Sequence, residues 1–188
     1  MTTAEFLAAI VARLDSAEIP HMIAGSVASS HHGEPRSTQD IDVVIDPTGD
    51  QLTRFLDGLE PSRFYLDDAL TALASRSMFN VIEPSTGFKA DLVIRKDRPF
   101  SASEFARREQ VELLGVVTAV ATVEDTILAK LEWARESESE RQLRDVAAMM
   151  RVHGAALDVP YLRRWAGELG VRATLETELR ASGVTEHE

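Results

Sequence analysis

Apolar residues near the start of the chain recur at helical spacing. Phe6, Leu7, Ile10, Val11 and Leu14 fall on one stripe and predict a helix that ends before Pro20. The stretch 21–24 reads as a short strand running into Gly25-Ser26, with a short helix of small residues and histidines behind the turn. Asp40-Ile41-Asp42-Val43-Val44-Ile45 is rich in β-branched residues and stops at Asp46-Pro47, which predicts a buried strand with two acids at its entrance. Leu52, Phe55, Leu56 and Leu59 mark a second helix and residues 67–75 a third. Strands follow at 78–82 and 88–94, joined by the turn formers Pro84-Ser85-Thr86-Gly87. Ser101 and Glu104 are spaced as a capping box for a short helix, and 111–121 reads as extended chain bent near Gly115.

From Thr122 the pattern turns helical, with helices predicted at 122–136, 139–152, 160–169 and 171–180. Thr122 with Asp125 forms a capping box, Pro160 suits a first helical turn and Gly170 a helix end. The expected fold class is α+β: a mixed β-sheet core flanked by helices over 1–121, a C-terminal helical subdomain over 122–181, and a polar, frayed tail over 182–188.

Composition narrows the chemistry. With 188 residues and 44% hydrophobic content the chain can bury a core but not several independent domains. The absence of cysteine removes disulfides, zinc thiolates and thiol nucleophiles, and fits a cytoplasmic location. Any metal must therefore sit on oxygen or imidazole. Residues 1–14 alternate apolar and polar positions and carry Glu5 and Arg13, so neither a signal peptide nor a membrane partner is expected. A net charge of −11 opposes non-specific binding to a nucleic-acid backbone, and no DNA partner is expected. Arg95, Lys96 and Arg98, Arg107 and Arg108, and Arg163 and Arg164 could make a local basic patch, but solvated charge is the better account of each cluster alone. Aromatic residues are too few for a single-strand stacking platform, and Trp133 and Trp165 read as packing residues of the helical part.

The chemistry concentrates on three acids. Residues two apart on a strand point to one face, so Asp40 and Asp42 project together while Ile41 and Val43 face the core. Like charges held that close repel unless a cation bridges them or one takes a proton, and Mg2+ (or Mn2+) is the natural oxygen-bound guest. Asp91, between Ala90 and Leu92 in a second strand, has no packing reason to be there and would join the pair if the two strands are neighbours. Gly25 lets a backbone approach a phosphate, and Ser26 adds a hydroxyl at a helix start whose amides are free donors. Arg36 and Thr38, just before the acids, are placed either to contact phosphates or orient Asp40, or to serve turn chemistry. Adjacent His31 and His32 point in different directions on a helix and do not suit a shared ion.

In combination these motifs are specific. Ala24-Gly25-Ser26, followed after thirteen residues by Asp40-Ile41-Asp42-Val43, resembles the signature of the DNA polymerase beta-type nucleotidyltransferase superfamily. Gly33-Glu34-Pro35-Arg36-Ser37-Thr38-Gln39-Asp40 is similar to the approach to the carboxylates in its abortive-infection and toxin-type branch. The resemblance covers about residues 20–150 and puts the third carboxylate on Asp91. It extends to a lysine in one helix and an aspartate in the next, at Lys130 and Asp145, though Gln142 stands where the branch often has an acid. Helical-wheel reasoning supports Lys130, whose stem borders the stripe of Ile127, Leu128 and Leu131 so that its ammonium could reach a cleft. The wheel makes Asp145 a solvated charge or a partner of Arg141, so its catalytic role rests on the resemblance.

The function expected is a metal-dependent transferase that moves a nucleoside monophosphate from a nucleoside triphosphate to a hydroxyl acceptor. Asp40 and Asp42 would hold the ions, Asp91 would complete the site and help activate the acceptor, and Ser26 with Lys130 would grip the triphosphate. The resemblance implies an RNA end such as tRNA, or a protein side chain, as acceptor, and a toxin role with an antitoxin partner; the acidic balance tilts the expectation toward a small or protein acceptor. The rivals are a catalytically silent nucleotide- or partner-binding module on the same fold, and a phosphatase with Asp40 as nucleophile, which would want its acids after the strand's apolar run.

Overall fold

The computed structural model describes residues 1–35, 38–66, 68–137 and 139–184. The chain divides into two compact units, Met1–Ser26 with Ser37–Val120 and Val27–Arg36 with Ala121–Glu188.

The first unit is built on one seven-stranded sheet. Its strands are β1 (His21–Ile23), β2 (Asp40–Ile45), β3 (Tyr65–Leu66), β4 (Met78–Glu83), β5 (Phe88–Ile94), β6 (Glu109–Leu113) and β7 (Val116–Val120). They lie in the order β3-β4-β5-β2-β1-β7-β6. The sheet is mixed, because β2 runs parallel to β5 and antiparallel to β1. The helices of this unit are α1 (Thr3–Ser16), α3 (Gly49–Asp57), α4 (Ala69–Ser75) and α5 (Pro99–Arg107).

The predicted stripe of α1 is the face it buries: Phe6, Leu7, Ile10 and Leu14 are fully enclosed and Val11 is 3% exposed. Thr2 and Glu5 close a reciprocal capping box at its start. Phe6 stacks on Phe88 with ring centroids 5.6 Å apart, which fixes the face of β5 that α1 covers. Ala90, Leu92 and Ile94 share that face with Phe88 by the strand's period of two, and β2 sets Ile41, Val43 and Ile45 beside them. All six are at most 1% exposed. Burial of each large aliphatic chain among them stabilises the sheet by roughly 1.5–3 kcal/mol. Asp40, Asp42, Lys89 and Asp91 consequently lie on the opposite, more open face.

Three details depart from the expectations. The predicted Ser101–Glu104 box does not start α5, whose N-cap is Arg98 with Pro99 in the first turn; Ser101 lies one turn inside, buried, and accepts a hydrogen bond from Arg98 Nε at 3.0 Å. The bent chain at 111–121 is a hairpin, β6 to β7, turned at Leu114 (φ 53°) and Gly115 (φ 80°). Two consecutive left-handed residues make the tight turn that suits the twist of paired strands. The short edge strand β3 was not anticipated.

The second unit holds α6 (Val123–Ser137), α7 (Glu140–His153), α8 (Val159–Glu168) and α9 (Arg172–Ala181). It also takes in most of α2 (Gly25–His32), whose first two residues belong to the sheet unit. Helix α6 packs on α7 and α8, and α9 packs on both α7 and α8. Beneath them Asp125, fully buried, accepts hydrogen bonds from the Tyr161 hydroxyl at 2.6 Å and the Thr122 hydroxyl at 2.7 Å. Trp165 packs inside at 4% exposure, as expected, whereas Trp133, also expected to pack, is 57% exposed. Ile127, Leu128, Leu131 and Ala134 already fill the inner face of α6, which leaves the tryptophan outside.

Candidate active site

The sheet brings the predicted acids together by backbone register. Asp42 on β2 lies directly beside Asp91 on β5, and Asp40 lies beside Lys89. Asp40 and Asp42 are two residues apart on one strand and so share a face, as Lys89 and Asp91 do on the other. The exposure pattern along β2 agrees: Ile41, Val43 and Ile45 are buried, Asp42 is half-buried and Asp40 is exposed.

Each carboxylate meets different surroundings. Asp91, with 13% of its side chain exposed, accepts the Lys89 ammonium at 2.9 Å and a hydrogen bond from the Asn80 amide. Asn80 stands opposite Asp91 in the antiparallel pairing of β4 with β5. Asp42 faces the start of α2, where the Ser26 amide donates to its Oδ2 at 3.3 Å. Its own carbonyl accepts the Ala24 amide at 2.9 Å, which clamps the turn after β1 onto β2. Asp40 takes part in local turn chemistry: its amide donates to the Thr38 hydroxyl at 3.2 Å, and that hydroxyl donates to the Asp40 carbonyl at 3.0 Å.

The glycine of this turn is required for two independent reasons. Gly25 has φ +57°, and a Cβ at that position would stand 1.9 Å from Asp42 Oδ2. No side chain fits so close to the carboxylate.

Lys89 was not anticipated as part of the site. Its ammonium pKa is raised, first by the hydrogen bond to Asp91, against the opposing effect of desolvation, and then by the attraction of Asp91, Asp40 and Asp42. The signal was present in the sequence, since position 89 is two before Asp91 and must share its face in a strand. Asn80 could be found only from the register of β4.

The oxygen-only donor set and its shared face suit a hard cation such as Mg2+. As the side chains stand, no three histidine or acidic side chains among the described residues converge as a ready ion-holding group. Asp91 is engaged with Lys89 and Asn80, and Asp42 with the α2 turn.

Lys130 and Asp145 belong to the helical unit and are paired there. Lys130 is 4% exposed, and its ammonium donates to Asp145 Oδ2 and to Gln142 Oε1, both at 2.8 Å. The Ser29 hydroxyl of α2 donates to the same Asp145 oxygen at 3.4 Å. Asp145 is thus neither a solvated charge nor a partner of Arg141, as the wheel of its own helix suggested; its partner comes from α6. Gln142, at the position where an acid was expected, supplies the neutral acceptor of this cluster.

His32 Nε2 lies 2.7 Å from the Ala121 carbonyl and His153 Nε2 lies 2.9 Å from the His32 carbonyl, so the histidines serve backbone groups. Arg36 and Ser37 lie outside the described residues. No described helix is long and apolar enough to cross a membrane.

No protein-family model matches the chain, and no curated protein sequence matches it significantly. Solved structures do, and they define the class: the chain has the α+β fold of nucleotidyltransferase-like proteins. An antigenic nucleotidyltransferase-like protein from Paracoccidioides brasiliensis is similar over 97% of this chain and 95% of its own, at 20% identity and a TM-score of 0.59. The structure of ANT(2'')-Ia in complex with adenylyl-2''-tobramycin is similar over 89% of this chain and 98% of its own, at 17% identity and a TM-score of 0.61. JHP933 from Helicobacter pylori is similar over 95% of this chain and 77% of its own, at 17% identity and a TM-score of 0.50.

Proposed function

We propose that the protein is a divalent-cation-dependent nucleotidyltransferase that moves a nucleoside monophosphate from a nucleoside triphosphate, ATP first among the candidates, to a hydroxyl acceptor. The observation that carries this reading is the register of Asp42 beside Asp91, with Asp40 on the same face and the Gly25-Ser26 turn against Asp42. Like charges stacked on neighbouring strands cost stability, and a cation offsets that cost.

In the reaction proposed, the acceptor oxygen attacks the α-phosphorus, the new O–P bond forms as the bond to the bridging oxygen breaks, and pyrophosphate leaves. Asp91 takes the acceptor proton. Asp40, Asp42 and Asp91 would hold Mg2+ or Mn2+, which supplies charge neutralisation on the phosphates and lowers the pKa of the acceptor hydroxyl. The first amides of α2, with the Ser26 hydroxyl, would serve the phosphates. Lys130 and Asp145 would act from the helical unit only if their ion pair opened, so we assign them the task of holding that unit's helices.

For the acceptor we favour a small hydroxyl-bearing molecule. The net charge of −11 disfavours an RNA end, and the fold neighbour ANT(2'')-Ia is described with an adenylylated small molecule, adenylyl-2''-tobramycin. A toxin role with an antitoxin partner, and a cytoplasmic location, rest on the sequence resemblance and composition alone. A second reading, a silent binding module, draws support from one observation: the Lys89–Asp91 ion pair already occupies one carboxylate of the site.

Incubation with Mg2+ and each α-labelled triphosphate, offered small polyols and aminoglycosides, total RNA or lysate protein, separates these readings. Transfer that falls about 10²- to 10³-fold in Asp42→Ala supports the enzyme. Nucleotide binding without transfer to any acceptor supports the module.

A further inference from the structure

Lys89 puts a cation where the reaction needs one. Its Nζ lies 2.9 Å from Asp91 Oδ2, and its backbone stands in register with Asp40, two residue pairs along from Asp42 beside Asp91. Three negative charges and one positive charge thus share a single face of two neighbouring strands. Two thirds of the Lys89 side chain is shielded from solvent, and the ion pair lies on Asp91, the more enclosed partner at 13% exposure. Screening at such a place is weaker than for an ordinary surface pair. A divalent ion that takes Asp91 as a ligand must displace this ammonium or bind beside it, and the two cations repel.

We propose that Lys89 is an internal competitor for the divalent cation: paired with Asp91 it keeps metal binding weak in the nucleotide-free protein, and it is released onto the phosphates when the nucleotide arrives with its ion. The proposal rests on the transferase reading for the identity of the nucleotide, and on strand register for the placement of the lysine. A triphosphate supplies anionic oxygens that replace Asp91 as the partner of Lys89. The ammonium then contributes to substrate binding the charge it had withheld from the carboxylates. Metal and nucleotide binding are coupled for that reason, each favouring the other through one side chain. A purely structural lysine, bracing β5 through Asp91, would instead affect folding and leave ion affinity unchanged.

The test is Mn2+ binding, read from the EPR signal of the free ion at neutral pH, without nucleotide and then with a non-hydrolysable triphosphate analogue. Lys89→Met is expected to bind Mn2+ alone about tenfold more tightly than the wild type, about 1.4 kcal/mol. Lys89→Arg, which keeps the charge, is expected to match the wild type, and adding Asp91→Asn to Lys89→Met is expected to erase the gain. With the analogue present the order reverses, Lys89→Met holding nucleotide about tenfold more weakly. Circular dichroism confirms that the variants fold, with Lys89→Gln measured in place of Lys89→Met if the latter does not. Equal or weaker Mn2+ binding in the neutral variant, or no binding in either protein, overturns the proposal. Equal binding that still requires Asp42, together with nucleotidyl transfer, would remove the competitor role and leave the transferase standing. Tenfold tighter binding with no transfer to any acceptor would support the competitor role and remove the transferase.

Discussion

The sheet unit and the helical unit each contain a charged cluster, and the two obey opposite rules. Around Lys130 the described contacts are matched: a buried ammonium meets a carboxylate and a neutral amide, both at hydrogen-bond distance. On the open face of β2 and β5 the described strand residues are mismatched, three acids against one lysine. A buried charge is tolerated when paired as in the first arrangement, whereas like charges crowded as in the second are unfavourable without a compensating ligand. Under the proposed function the contrast would separate residues that hold the protein together from residues held ready for a substrate, even though both sets are singled out by the same sequence resemblance.

The largest expected effect is on the matched side. Lys130→Ala removes the cationic partner of the Asp145 carboxylate in a poorly solvated place and should lower stability by about 3–5 kcal/mol. Denaturant unfolding measures this directly, and Lys130→Met with Asp145→Leu should recover most of it. If Lys130→Ala kept full stability and lost transfer, Lys130 would move from the structural set to the catalytic one.

Gly25→Ala comes next and strikes the mismatched side through its backbone. The added Cβ meets the Asp42 carboxylate and the position has positive φ, so about 1–3 kcal/mol of strain is expected, with loss of transfer beyond what the stability change explains. Thermal melts and the transfer assay read the two parts separately. Asp40→Asn is the sharpest form of the comparison. It removes one like charge from an exposed position, so stability should stay within about 0.5 kcal/mol of wild type, or rise, while transfer falls at least tenfold.

Much of this contrast was legible in the sequence, for a definite reason. The period-two pattern of β2 and β5 and the heptad-like stripe of α1 are strong local signals, so the elements and the shared face of Asp40 and Asp42 followed from spacing alone. That Asp91 lies beside Asp42 depends on β5 being the parallel neighbour of β2, a choice made by tertiary packing. Asn80 was hidden for the same reason, since it reaches Asp91 only through the register of β4. Lys89 is legible from spacing, since a residue two before Asp91 shares its face in a strand. The pairing of Lys130 with Asp145 could not be read from either helical wheel, which describes one helix and not its neighbour. The exposed Trp133 shows the limit of treating every tryptophan as core.

The smallest expected effect lies in the helical unit at Glu176. Its carboxyl is held below the usual value chiefly by the hydrogen bond from Arg163, against desolvation, with further help from Arg172. The folded-state pKa is depressed, so the stabilisation is present above about pH 4.5 and is lost as pH falls through the folded value. Glu176→Gln should flatten the acid side of the stability profile slightly, with little change at neutral pH. Melting temperature followed from pH 7 to pH 3 in both proteins checks it.

Paramagnetic broadening by Mn2+ with a non-hydrolysable triphosphate, followed on assigned backbone amides, asks where the ion and nucleotide sit. The amides of Ser26, Asp42 and Asp91 should lose intensity first, and Asp42→Ala should abolish the effect. Retention of those three signals while amides elsewhere are bleached would contradict a cation site on the shared face of β2 and β5.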